Sequence, residues 1–366
     1  MRRRKFEVLL LCWLSAGAAL GQTTATSQPN DRKAAAEQSE SSRRTDLHLV
    51  RVKTITAPAE MANSFLGPLV CDNDGNLYFR QSSTDAVHKL NPKAEEVALF
   101  QAAPNTDKKI DAVAYFSVAL DGDLYQLVMP HEFDRYVFAY NSDGTFKSAT
   151  KLNPGFVWIP HSLAVFPSGQ LLISGSEYDH DRGAAMWPFT GIFAADGSLL
   201  KEVKLEDDET LHEMATTGDA RISSPQYPHV NRAVDFSQIE MAEDGNAYLM
   251  RWTNPAIIYA ISPGGETVRR LKIDPGDSGY RPAAMHVHKN RIAVLFNNPE
   301  THDKLMRVVD LEAHELATYA EVRANRKAQG GMIGSSFVCY EENPTRFTFF
   351  GADDDNKLQL WIVEPR

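Results

Sequence analysis

Cysteine, long apolar runs and positive charge are all in short supply in this chain. Three of its 366 residues are cysteine, and Cys12 falls inside an N-terminal apolar run. Cys71 and Cys339 then allow one intramolecular bridge, too few for a disulfide-built scaffold. After residue 20 no stretch approaches 18 uninterrupted apolar residues, which excludes a membrane-spanning helix there. Lys and Arg number 38 against 48 Asp and Glu. The net charge is −10, and −13 once residues 1–21 are set aside, which argues against nucleic acid or anionic lipid as the main partner. G-x-G-x-x-G, Walker and G-x-S-x-G patterns are missing too, so the usual sequence case for a nucleotide cofactor or an elbow serine does not arise.

What is present begins with an address. Met1 is followed by Arg2-Arg3-Arg4-Lys5, an apolar run from Val8 to Leu20, and the small-x-small step Ala19-Leu20-Gly21. This pattern predicts a secretory signal over 1–21, too short for a stable anchor. Leu11 before Cys12 does not fit a lipoprotein site. Residues 22–46 are rich in Ser, Thr, Gln and charge, and they cannot bury enough surface to offset their ordering entropy, so a flexible leader is expected. The mature chain is therefore expected to be soluble and exported, to the periplasm or the exterior.

The rest of the chain repeats one phrase: an apolar run, a turn of Asp, Ser, Glu or Asn with Gly, and another apolar run, the signature of a β-hairpin. It reads PLVCDNDGNLYF at 68–79, YFSVALDGDLYQLV at 115–128, SLAVFPSGQLLISG at 162–175 and SQIEMAEDGNAYLM at 237–250, then more loosely at 283–296 and 336–350. The turn markers Gly75, Gly122, Gly169, Gly245, Asn290 and Asn343 are spaced by 47, 47, 76, 45 and 53 residues. A second turn follows in five units, at Asn91-Pro92, Asp143-Gly144, Asp196-Gly197, Pro263-Gly264-Gly265 and Glu312-Ala313. Four strands per unit fill about 40–50 residues, the length of a propeller blade. The surplus in the long interval, 205–229, is acidic and Pro-interrupted, and it reads as an insertion rather than a seventh blade. The sixth unit lacks a fourth strand. Residues 47–55 can supply it by pairing with 356–363, which closes the ring and removes an open sheet edge.

On these turn phrases, over about residues 47–366, the sequence resembles six-bladed β-propellers of the NHL-repeat and TolB-like type. The resemblance implies an all-β fold of four-stranded blades. It leaves function open, because such propellers include ligand-binding and scaffold proteins, calcium-dependent lactonases and the zinc-containing amidating lyase.

The tight Gly turns share one face of such a propeller, and the long connections share the other. Function is expected on the long-loop face, with the third-blade insertions at 176–189 and 205–230 as a lid. Trp158, His161, Arg232, Tyr280 and Arg281 stand at or before inner-strand starts there, and Arg beside aromatic rings suits an anionic or sugar-like ligand. For a metal, the candidates are Asp111, His161, Asn231, Asp235 and Glu240, with calcium or zinc as the ion. His161 resembles the Pro-His strand starts of lyase-type propellers, although no other unit carries a histidine at the same offset. His286 and His288 share a sheet face at period two and read as structural. The acidic runs 206–209 and 353–355 read as solvated loops. Cys71 and Cys339 sit on equivalent first strands of neighbouring blades. Rotational symmetry then points both side chains the same way, and free buried thiols are expected unless a register shifts.

Besides a purely structural propeller in an envelope assembly, two functions remain open on this reading. One is a binding module with a protein or small-molecule ligand on the long-loop face. The other is a metal-dependent hydrolase or lyase of the lactonase or amidating-lyase type.

Overall fold

The computed structural model describes residues 49–57, 65–81, 86–107, 109–130, 134–177, 187–223, 231–321, 336–352 and 357–366. The expected export signal and leader lie outside these residues, as do the acidic run 353–355 and most of the third-blade loop 176–189. A compact unit spans Asp46–Arg366.

Twenty-four strands among the described residues form six antiparallel sheets of four. The first strands of the blades are β2 (Phe65–Cys71), β6 (Ile110–Val118), β10 (Trp158–Val165), β14 (Gln238–Met241), β18 (Arg281–His288) and β22 (Ser336–Glu341). Each touches the next, and β22 returns to β2, so the ring is closed. This is a six-bladed β-propeller.

Both faces of every blade press on a neighbour. Strands in the middle of a blade therefore read as continuous apolar runs rather than alternating ones. In β15 (Ala247–Arg251) and β16 (Ala256–Ile261) every residue is buried. Among the described residues six core clusters fill the six blade interfaces, exemplified by Leu172, Ile192, Leu249 and Tyr259 between the third and fourth blades, and a seventh gathers Leu211, Ala215, Ile222, Ala233 and Val234. Each fully buried Leu, Ile or Phe contributes roughly 1.5–3 kcal/mol by leaving water.

The last sheet runs β22, β23 (Arg346–Ala352), β24 (Leu358–Pro365) and β1 (Leu49–Thr56). Thr56 pairs with Gln359 and Leu49 with Pro365, so the N-terminal strand completes the blade begun by the C-terminus. The Arg51 guanidinium carbon lies 3.5 Å from the Trp361 ring centroid, adding a cation–π contact to the ladder.

Glycine closes the tight turns because they require φ near +80°. Gly197 has a second reason: at φ +85° its Cβ would stand 2.0 Å from Lys151 O, where the neighbouring blade passes.

Two expectations are overturned. Cys71 and Cys339 form a disulfide, with Cα atoms 5.5 Å apart, inside the usual range for a bridge. Register shifts between Leu66 and Val70 in β2 and between Phe337 and Cys339 in β22 break the rotational symmetry that would have kept the thiols apart. The acidic run 206–209 is not a solvated loop either. Glu206 Oε2 meets Arg270 Nε at 3.2 Å, Tyr259 donates to Asp207 Oδ1 at 2.5 Å, and Arg251 Nη2 meets Asp208 Oδ1 at 2.7 Å. These contacts pin helix α1 (Asp208–Thr216), the core of the 205–230 insertion, across the third and fourth blades. Residues 224–230 of that insertion lie outside the described residues.

Candidate functional site

First strands begin on the long-loop face, and there the fourth and fifth blades and the insertion frame a cleft of about 720 Å³. One wall is a row across the top of the fifth blade. Arg281, the first residue of β18, pairs with Asn297 at the end of β19 (Arg291–Asn297), and Asn297 pairs with Lys304 at the start of β20 (Lys304–Asp310). Opposed residues in a ladder project from the same sheet face, and all three line the cleft. His302 adds a further basic group from the connecting loop. That loop is shaped by Asn298, whose Oδ1 accepts from the Glu300 and Thr301 amides at 3.0 and 3.1 Å.

The insertion and the fourth blade supply the opposite wall. Arg232 opens a one-turn helix (Arg232–Asp235) whose amide donates to Ile222 O at 2.9 Å. Trp252 N donates to Ala233 O at 3.1 Å, tying the fourth-blade loop to that helix. The Asn254 amide donates to Tyr280 O at 2.7 Å and to Asp277 O at 3.0 Å, which draws the same loop to the approach of β18. Arg221 stands at the rim, where Asp219 holds it through Nη2 to Oδ2 at 2.6 Å.

The charge of this wall is one-sided. Among the described residues that line it, five are basic and none is a carboxylate, on a chain whose net charge is −10. Fixed cations around a concave surface concentrate potential and attract anions. Trp252, Pro282 and Pro299 add an apolar surface to the same cleft. Asn297 Oδ1 is buried without a hydrogen-bond partner.

Of the residues singled out from sequence, Arg232 and Arg281 come together here. Tyr280 stands beside the cleft as support: it packs on the core between the fourth and fifth blades, and its carbonyl accepts from Arg281 Nη1 at 2.8 Å. Burial raises its phenol pKa, and the Asp303 charge adds to the effect. Trp158 is a correction. It is 4% exposed, stacks on Phe193 at 5.5 Å and belongs to the core between the second and third blades rather than to the rim. Arg221, Trp252, Asn297, His302 and Lys304 were not singled out. The signal for Asn297 and Lys304 was the ladder itself, since both stand opposite Arg281 once the fifth-blade strands are aligned.

Of the proposed metal ligands whose side chains are described, His161 and Asp235 pair with each other while Asn231 and Glu240 have other partners. His161 Nε2 lies 2.8 Å from Asp235 Oδ1. Asn231 is buried, with its amide donating to Leu211 O at 3.2 Å. Glu240 is committed to the inner strands: its Oε2 accepts from Val287 N at 2.6 Å and meets His286 Nδ1 at 3.1 Å. Asp111 falls in β6. Among the described residues no three His, Cys, Asp or Glu side chains are close enough to share an ion, so His161, Asn231, Asp235 and Glu240 do not by themselves form a calcium or zinc site.

The channel behind the cleft is stitched by side chains from neighbouring first strands. Ser162 Oγ and Ser237 Oγ are 3.2 Å apart, and Gln238 Oε1 accepts from Met285 N at 2.7 Å. Tyr115 reaches from the second blade to the fourth, where its hydroxyl accepts from Ile239 N at 3.5 Å. Burial is the main cause of its raised phenol pKa, followed by the Glu240 charge. Near the short-turn end one cavity of about 50 Å³ is lined by Val70, Phe116, Ile239 and Met241, and another of about 320 Å³ by Asp72, Gly75, His288 and Glu342.

Fold and cleft together define a six-bladed propeller with a basic pocket on its long-loop face. No protein-family model matches the chain, and no curated protein matches it in sequence. Among solved structures it is similar to a member of the DUF4221 family from Bacteroides vulgatus, with a TM-score of 0.52 and 10% identity over 88% of this chain and 99% of that one. It is also similar to virginiamycin B lyase from Staphylococcus aureus, with a TM-score of 0.45 and 11% identity over 87% and 99% of the two chains. The calcium-binding protein regucalcin from Agrobacterium tumefaciens gives a TM-score of 0.45 and 13% identity over 86% and 98%. Likeness at such identities shows the fold and assigns no activity. No helix among the described residues is long and apolar enough to cross a membrane.

Proposed function

We propose that the chain is an exported binding module of the NHL-repeat and TolB-like kind whose ligand is a small anion held in the long-loop cleft. The observation that carries this reading is that the described residues lining the cleft include five basic side chains and no carboxylate. Arg232 and Arg281 are the primary anion contacts, because a guanidinium offers paired donors to a carboxylate or phosphate. A volume of about 720 Å³ lies within the span of small-molecule sites. Export is supported by the basic, then apolar, N-terminal sequence and by the Cys71–Cys339 bridge, which suits an oxidising compartment.

The metal-dependent alternative has one pair to build on, His161 with Asp235. Zinc sites use three or four protein donors, and Asn231 and Glu240 serve other contacts.

Calorimetric titration with sulfate, inorganic phosphate and acetate tests the reading. The cleft should bind at least one of them with affinity that falls as salt rises, and the Arg232→Ala, Arg281→Ala double variant should lose the binding. Equal binding by wild type and double variant would place the anion elsewhere and overturn the proposal.

A further inference from the structure

The helix that carries Arg232 to the cleft also holds two aromatic residues in place. Phe236 follows it, with an amide that donates to Arg232 O at 3.1 Å, and Trp252 N donates to Ala233 O within it. The two rings meet at 5.7 Å and 70°, an edge-to-face pair. Trp252 is half-buried and lines the cleft together with the exposed Ala283 and Pro299, and Phe236 beside it is 53% exposed. Apolar side chains scattered singly over a surface are ordinary. Here an aromatic pair and a guanidinium are fixed to one short helix at the mouth of one cleft.

An inorganic anion pairs with the cations and leaves this apolar surface in water, whatever its state of protonation. An occupant that also covers the surface gains from the apolar area removed from water, so it carries an apolar body next to its charge. Two features favour a flat ring over a saturated one. Aromatic pairs gain beyond their buried area, and a guanidinium stacks on an aromatic face as well as pairing with an oxyanion. A cleft of about 720 Å³ has room for both parts.

Resting on the anion-binding reading, we propose that the cleft takes an aromatic acid: a flat aromatic ring bearing a carboxylate or a phosphate monoester. The oxyanion meets Arg232 and Arg281, the ring packs against Trp252, and Phe236 extends the aromatic surface outwards.

Calorimetry with benzoate, phenyl phosphate, cyclohexanecarboxylate, acetate, inorganic phosphate and neutral benzamide tests the inference, with the thermal midpoint of each variant read alongside. Benzoate should bind about tenfold more tightly than acetate, or phenyl phosphate than inorganic phosphate, the scale of covering one ring, and the tighter of the two aromatic probes identifies the oxyanion. Cyclohexanecarboxylate should bind about threefold more weakly than benzoate, and benzamide should give no measurable heat. Trp252→Leu should remove most of the aromatic advantage and leave acetate and inorganic phosphate unchanged, which shows at the same time that the cleft is folded. If it loses every probe and its midpoint falls, Phe236→Ala decides, since that exposed side chain should weaken only the aromatic probes, by about twofold. Arg281→Ala should weaken every anion. Aromatic probes binding no more tightly than acetate, inorganic phosphate or cyclohexanecarboxylate, or binding indifferent to both aromatic variants, overturn the aromatic-acid inference and leave the anion reading standing. No binding of any anion, or benzamide binding as tightly as benzoate, overturns both.

Discussion

Arg251 Nη2 lies 2.7 Å from Asp208 Oδ1, and the Arg251 side chain is wholly buried. Its Nη1 donates to Ser174 Oγ at 3.1 Å, and Asp208 Oδ2 in turn accepts from Leu205 N at 3.0 Å. One guanidinium thus joins the third blade, the fourth blade and the first turn of helix α1. The insertion that carries Arg221 and Arg232 to the cleft is held through this junction.

Removing one partner should therefore cost far more than removing both. Arg251→Met should destabilise the protein by about 3 kcal/mol, since it strands a partly buried carboxylate, and adding Asp208→Leu should recover much of the loss. Denaturant titration of the three variants measures this.

The same junction predicts a pH signature. Burial raises the Asp208 pKa, and the Arg251 charge only partly offsets it. A folded-state pKa above the unfolded one means that Asp208 contributes most below the ordinary carboxylate value near 4, and that this contribution is lost as pH rises through the folded pKa. The stability difference between wild type and Asp208→Asn should therefore move in favour of wild type as pH falls from about 7 to about 4. A shift in the other direction would contradict the assignment.

Cys71 and Cys339 join the first blade to the sixth across 268 residues of chain. The β1–β24 ladder closes the ring by hydrogen bonds, and the disulfide adds a covalent lock at the adjoining interface. Chain-entropy reasoning for so long a loop allows up to about 5 kcal/mol. The Cys71→Ser, Cys339→Ser protein should melt roughly 5–10 °C lower, and thiol reductant should lower the wild-type midpoint but leave that of the variant unchanged.

Glu240 should prove structural. Glu240→Ala strands the Val287 amide and His286 Nδ1 and should cost about 2–4 kcal/mol. Elemental analysis of protein purified without chelators should give the same metal content for wild type, Glu240→Ala and His161→Ala.

Asp219 tempers the cleft. Arg221 hydrogen bonds hold its carboxyl down at about 2. A depressed folded pKa means that the pair is intact above the ordinary value near 4 and is lost only as pH falls through about 2. Asp219→Asn should tighten anion binding about two- to fivefold at low salt, with the gain constant between about pH 5 and 8 and gone near 0.5 M salt. Titrations across that range measure it.

The propeller was legible because its determinants are local and repeated. Each Gly turn and each pair of flanking apolar runs declares a hairpin, and the count of turns, with the N-terminal strand left over, dictates the closure. The cleft was legible only where a residue stood at a strand start, as Arg281 does, or just before one, as Arg232 does. Asn297 and Lys304 enter through cross-strand register, and Trp252 through a loop tied to the Arg232–Asp235 helix at Ala233 and to the approach of β18 at Tyr280. Trp158 shows the converse difficulty. Its place near a strand start suggested the rim, but ladder position alone does not say whether a side chain points to the mouth or into the blade interface. The disulfide was hidden by two register shifts that no turn phrase reveals.

Hydrogen exchange with and without saturating inorganic phosphate tests the central claim most directly, because it reports on both faces at once. The account predicts slowed exchange in peptides covering residues 219–223, 231–236, 252–256 and 297–304, with no change around Cys71–Gly75 and His288–Asn290. Protection confined to the short-turn face, or none at the cleft while ligand is bound, would contradict it.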